Sequence, residues 1–114
     1  MDPKQKGWCK LYKQITESTI FENKDHFALF VWLLVHAAFV LHNEKVGRKQ
    51  TLIQVYPGEI YTNREEIAEC NGISLSSVDR YLIALEKDYD TLIIKEKYDY
   101  STIKIKITNW KKYQ

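Results

Sequence analysis

Apolar residues fall at helical spacing over Ile67-Ala68 and again over Val78, Tyr81, Leu82 and Leu85, with Asn71-Gly72 between the two runs. That pattern predicts two short helices joined by a tight turn. Thr62 is placed to cap the first helix, and Glu65, three residues on, completes a capping box. Gly72 supplies the left-handed backbone that ends one helix and lets the next leave at a steep angle. Ser74 is placed to cap the second helix. Ala68, four residues before the glycine, is small enough to let the two helices approach closely. Beyond Thr91 the period changes. Ile103, Ile105 and Ile107 alternate with Thr102, Lys104, Lys106 and Thr108, as in a strand with one buried face and one basic, wet face. Leu92–Lys97 is expected to pair with it across Tyr98–Ser101 as a β-hairpin.

Upstream, Phe27–Leu41 is almost unbroken apolar sequence, with His36 its single polar interruption. A membrane span needs about 18–20 such residues, so this run reads as a buried helix from about Lys24 to His42. A helix apolar on nearly every side must be covered on nearly every side. That predicts central burial or a partner chain, with Phe30, Trp32 and Phe39 as the self-association residues and His36 as a satisfied core side chain. Asn43–Arg48 reads as a polar loop and Gln50–Tyr56 as a strand. Pro57-Gly58 fits the centre of a type II turn, and Glu59-Ile60-Tyr61 leads into the helix pair. Gly7–Phe21 reads as a packed arm, and the tail Asn109–Gln114 is expected to return Trp110 to the body. The order helix, strand, helix, turn, helix, strand, strand is that of a winged helix-turn-helix, an α+β fold whose wing is the final hairpin. One domain covers 1–114, with an arm at 1–22, a core at 23–108 and a tail at 109–114.

The 114 residues suffice for one modest core, and 45% apolar with 13% aromatic content excludes a disordered chain. Cys9 and Cys70 lie far apart without metal-ligand spacing, and no signal peptide or N-x-S/T acceptor occurs, which points to the cytoplasm. Two unpaired thiols are expected, Cys70 half-buried on a helix. His26, His36 and His42 match no metal spacing, and no phosphate-binding glycine loop or nucleophile–base signature is present. The sequence therefore predicts neither an enzyme nor a cofactor.

The net charge of +2 is unevenly spread. Residues 1–58 hold eight basic against five acidic side chains (+3), residues 59–91 three against eight (−5), and residues 92–114 six against two (+4). On the second helix the outward positions are Ser76, Arg80, Ile83 and Lys87. Arg80 is the one strong base reader, suited to a bidentate contact with guanine. Ser74, Ser76 and Ser77 lie at the positive helix end, within reach of phosphate or a base edge. Ile83 suits a thymine methyl. Lys95, Lys97, Lys104 and Lys106 on the wing, and Arg64 at the start of the first helix, are candidate phosphate contacts. The acidic helix pair predicts weak, salt-sensitive binding to double-stranded DNA that depends on several copies acting together.

Gly7-Trp-Cys-Lys-Leu-Tyr12, the apolar helix, Pro57-Gly-Glu-Ile60, Val78–Lys87 and Ile107-Thr-Asn-Trp-Lys-Lys-Tyr-Gln114 occur in the order found in a known group. Together they resemble the N-terminal winged-helix domain of phage and prophage DnaD-like replication proteins, the replisome organisers. The resemblance covers nearly the whole chain. It implies a non-catalytic protein that binds near an origin, self-associates, and recruits a helicase loader or other primosome proteins. Relatives commonly continue into a linker and a second, DNA-binding domain, so this chain is expected to be either a truncated N-terminal domain or a short protein acting through the winged helix alone. Asp88-Tyr-Asp-Thr91 stands where relatives often place a glycine. Two other functions fit the same residues: an oligomerising interaction scaffold without DNA readout, and a small transcriptional regulator.

Overall fold

A computed structural model describes residues 19–89 and 91–113; most of the predicted N-terminal arm, with Cys9, lies outside the described residues. A 3-10 turn at Thr19–Glu22 leads into helix α1, Lys24–His36. Asn23 caps α1, its side-chain oxygen accepting from His26 N at 3.1 Å. The helix ends at His36, six residues before the predicted end. Ala37 is extended, Ala38 N donates to Glu59 O, and Gly58 N donates to Ala38 O, both at 2.9 Å. These bonds to a distant segment replace the next helical turn, since backbone groups must find partners somewhere. Residues 37–41 then run into β1, His42–Val46, which pairs antiparallel with β2, Thr51–Val55. The predicted polar loop at Asn43–Arg48 is thus largely a strand, with only its last two residues in the turn.

Pro57-Gly58 forms the predicted turn, with Glu59 N donating to Tyr56 O at 3.0 Å and Gly58 at φ +87°. It redirects the chain into β3, Glu59–Thr62. Helices α2, Arg64–Asn71, and α3, Leu75–Lys87, follow, and then β4, Ile93–Lys97, and β5, Ile103–Ile107. β3, β5 and β4 form an antiparallel sheet in that spatial order. The result is an α+β fold of three α-helices and two small antiparallel sheets.

The cap of α2 sits one residue later than predicted. Thr62 is still paired in β3, opposite Ile103, so Asn63 caps the helix by accepting from Glu66 N at 2.7 Å. The Thr62 hydroxyl donates instead to the Glu66 carboxylate at 2.8 Å. Gly72 adopts the left-handed conformation and Ser74 accepts from Ser77 N, both as the sequence predicts. A short 3-10 turn at Trp110–Tyr113 closes the described chain and brings Trp110 against Gly58 and Phe39.

The core joins Leu29, Phe30 and Leu33 of α1 to Ile67, Val78, Leu82 and Leu85 of the helix pair and to Ile93, Ile105 and Ile107 of the sheet. Phe30, expected at a self-association surface, is 1% exposed and packs edge-on to Tyr113. It is a core residue because α1 presents that side to the tail. His36, expected in the core, is exposed at the last turn; its Nδ1 hydrogen-bonds the Trp32 carbonyl and its ring stacks on the half-buried Trp32. Cys70 is exposed rather than half-buried.

Burial raises the Tyr113 phenol above its ordinary value of 10.0, and burial is also the largest cause for Tyr61. A group that holds its proton more tightly when folded contributes stability below its unfolded pKa and loses it as pH rises through the folded one. Thermal stability is therefore expected to fall from about pH 10 upward, and less steeply in Tyr113→Phe. Melting curves across the alkaline range test this; identical slopes for both proteins would contradict an enclosed phenol.

Candidate nucleic-acid interface

The outer side of α3 carries Ser76, Arg80, Ile83 and Lys87, all exposed. Arg80 folds along its own helix, Nη2 donating to Ser77 Oγ at 3.1 Å and the guanidinium lying 5.8 Å from the Tyr81 ring centre. No carboxylate pairs with it among the described residues. Ser74 is occupied with capping, and its hydroxyl also bonds those of Ser76 and Ser77 at 3.1 and 2.9 Å. Arg64 is differently placed from the phosphate contact expected of it. Its Nε and Nη2 donate to the two Asp79 oxygens at 2.8 and 2.7 Å, a fork-to-fork pair that ties α2 to α3. The bond to Asp79 raises the Arg64 pKa, and its charge is neutralised where it stands.

Strand register separates the four wing lysines. Lys95 lies opposite Ile105 and Lys97 opposite Ile103, and directly opposed residues project from the same side of a sheet. Lys95 and Lys97 therefore continue the face that carries the buried isoleucines. Lys104 and Lys106 lie on the other face, with Glu59, Tyr61, Ile94 and Glu96. The single basic face expected of the wing is not formed. Lys104 is also spoken for, its Nζ 3.2 Å from Glu59 Oε2 with the carboxylate 7% exposed. Burial opposes the Lys104 charge, but the bond and attraction from Glu59, with smaller help from Tyr61 and Glu96, outweigh it and raise the pKa above its ordinary 10.5. Lys106 and Lys87 remain exposed and without ion pairs among the described residues.

A second basic feature lies outside the predicted set. The β1–β2 turn, Gly47-Arg-Lys-Gln50, closes with Gln50 N donating to Gly47 O at 3.2 Å, and both Gly47 and Gln50 have positive φ. Lys45, Arg48 and Lys49 around it are exposed and unpaired among the described residues. This tip abuts the tip of the β4–β5 hairpin. Asp99 there accepts from Arg48 N at 2.8 Å as well as from Ser101 N and Thr102 N at 2.9 and 2.8 Å. These backbone donors, the one from Arg48 foremost, hold its carboxyl below the ordinary carboxylate range. A cleft of about 350 Å³ runs between the two tips and the start of α2, lined by Lys45 and Arg48 but also by Glu44 and Glu66, with Asn63 and Thr102 between them. The sequence does carry a signal for this hairpin: Glu44-Lys-Val46 and Thr51–Val55 flank a glycine-led turn of the right length.

Among the described residues no helix is long and apolar enough to cross a membrane, and no group of three His, Cys, Asp or Glu side chains could hold a metal ion. No protein-family model, curated protein or solved structure matches the chain, so the residues themselves carry the functional conclusion.

Proposed function

We propose that this chain is a winged helix-turn-helix that binds double-stranded DNA without catalysis and serves in replication initiation or primosome assembly, as its resemblance to the DnaD-like organisers implies. The observation that carries the reading is the α2–Gly72–α3 pair beside a β3-β5-β4 sheet, with Arg80 on the exposed side of α3 and no carboxylate partner for it among the described residues. In this reading α3 enters the major groove and the β4–β5 hairpin is the wing. Arg80 unfolds from Ser77 to meet a guanine edge. The acidic residues around the helix pair keep the affinity low, and the Lys and Arg contacts to phosphate make it salt-dependent. Arg64 and Lys104 serve the fold, and Arg80, Lys87, Lys97 and Lys106 are the exposed cations of the predicted set without ion pairs among the described residues.

Anisotropy titrations with duplex DNA across salt test this. Binding is expected to weaken steeply as salt rises, and Arg80→Ala to weaken it by about 1–3 kcal/mol. No detectable binding at low salt ends the reading.

A cytoplasmic, self-associating protein is the second part of the proposal. Val35 in the last turn of α1, and Phe39, Val40 and Leu41 on the connection from α1 to β1, are each more than half exposed, an apolar stretch suited to another copy of the chain. If light scattering finds an oligomer while the titration finds no DNA affinity, the scaffold function replaces the DNA-binding one.

A further inference from the structure

We propose that the β1–β2 hairpin is a second wing, whose tip residues Lys45, Arg48 and Lys49 grip the phosphate backbone of the duplex that α3 reads. The inference rests on the duplex-DNA reading above and names the part of the surface that supplies its affinity.

Two features make the hairpin a built part of the surface. First, a two-stranded hairpin alone is marginal in water, and this one is anchored at its far end. Asp99 bonds Arg48 N, and a Cβ on Gly47 would stand 2.8 Å from Tyr98 Cε1 and collide with Asp99 Oδ2. Only a residue without a side chain lets the two tips meet so closely. Second, the meeting is arranged around backbone groups, and the Arg48 guanidinium and the two lysine ammonium groups have no carboxylate partner among the described residues. Asp99 already receives three backbone N–H groups, and the two carboxylates that share the cleft are engaged elsewhere, Glu44 3.8 Å from His42 Nε2 and Glu66 with the Thr62 hydroxyl.

Charge decides what such a tip fits. Arg64 and Lys104 are neutralised by Asp79 and Glu59, and the segment bearing the helix pair is acidic by five charges. The joined tips instead gather Lys45, Arg48, Lys49 and, at the end of β4, Lys97. They stand beside Asn63 at the start of α2, as the shared cleft shows, so they flank the helix pair on the side where α2 begins. Exposed Arg and Lys without a shape-matched pocket suit the phosphate backbone, which fixes register and orientation without reading sequence. A two-stranded ribbon is narrow enough to lie against a groove about 12 Å wide.

The test is the salt dependence of duplex binding by anisotropy, compared among the unaltered chain, Arg48→Gln/Lys49→Gln, Gly47→Val and Arg80→Ala. Each phosphate contact contributes about 0.9 to the slope of log K against log salt. The double charge variant is expected to lower that slope by about 1.8 while keeping the unaltered unfolding midpoint, since both side chains are solvated. Gly47→Val, which parts the tips but keeps every cation, is expected to weaken binding at least several-fold. Arg80→Ala is expected to weaken binding with a smaller change of slope. If Arg80→Ala weakens binding but both tip variants bind like the unaltered chain, the second wing is wrong and the DNA reading stands. If the unaltered chain does not bind duplex at low salt, both fall.

Discussion

Phe30→Ala is expected to lower the unfolding free energy by about 3–5 kcal/mol, a large part of the total stability of a domain this size. The ring is 1% exposed and meets Tyr113 edge-on, 5.5 Å between centroids, so its removal opens a cavity between α1 and the closing turn. Phe39→Ser gives the opposite result. That ring is 68% exposed and keeps one edge contact with Trp110, so its loss is expected to move stability by less than about 1 kcal/mol. If the apolar stretch after α1 mediates self-association, Phe39→Ser reduces particle size at unchanged stability, whereas Phe30→Ala loses stability first. Denaturant unfolding together with light scattering separates the two. A Phe30→Ala protein with the original midpoint and a smaller particle would return that residue to an interface.

The contrast between these phenylalanines marks how far the sequence could be read. Elements set by neighbours in the chain were legible: the β5 alternation, the Gly72 turn, the Ser74 cap and the Pro57-Gly58 turn are each decided within a few residues. The end of α1 was not. Residues 37–41 are as apolar as the helix before them, and only the bonds from Ala38 to Gly58 and Glu59, some twenty residues away, draw them out of it. The wing lysines failed for a related reason. Leu92, Ile93 and Ile94 are consecutive apolar residues, so the strand's own pattern does not say which parity faces inward. Pairing with β5 sends Ile93 in and Ile94 out, and carries Lys95 and Lys97 to the isoleucine side. Charge neutralisation was the least visible of all. Arg64 finds Asp79 fifteen residues on, and Lys104 finds Glu59 forty-five residues back, through tertiary packing alone.

Glu59 should prove the most sensitive charged position in the described chain. One carboxylate oxygen accepts from Tyr56 N at 3.0 Å and the other holds Lys104 at 3.2 Å, so the side chain closes the turn before β3 and neutralises the sheet's outer face together. Glu59→Ala leaves a backbone N–H without its acceptor and an ammonium group without its partner. Removing one member of a fully buried pair costs about 3–5 kcal/mol. Lys104 keeps 28% of its side chain in solvent, so about 2–3 kcal/mol is expected here. Glu59→Gln retains the acceptor for Tyr56 and should lose about half as much. In a double-mutant cycle, Lys104→Met is expected to couple to Glu59→Gln by about 1 kcal/mol. Because Lys104 is engaged within the fold, Lys104→Met should also leave the salt slope of duplex binding unchanged. A slope reduced by about 0.9 would mean that the ammonium exchanges its carboxylate for a phosphate on binding. Glu59 would then be a competitor that the nucleic acid displaces.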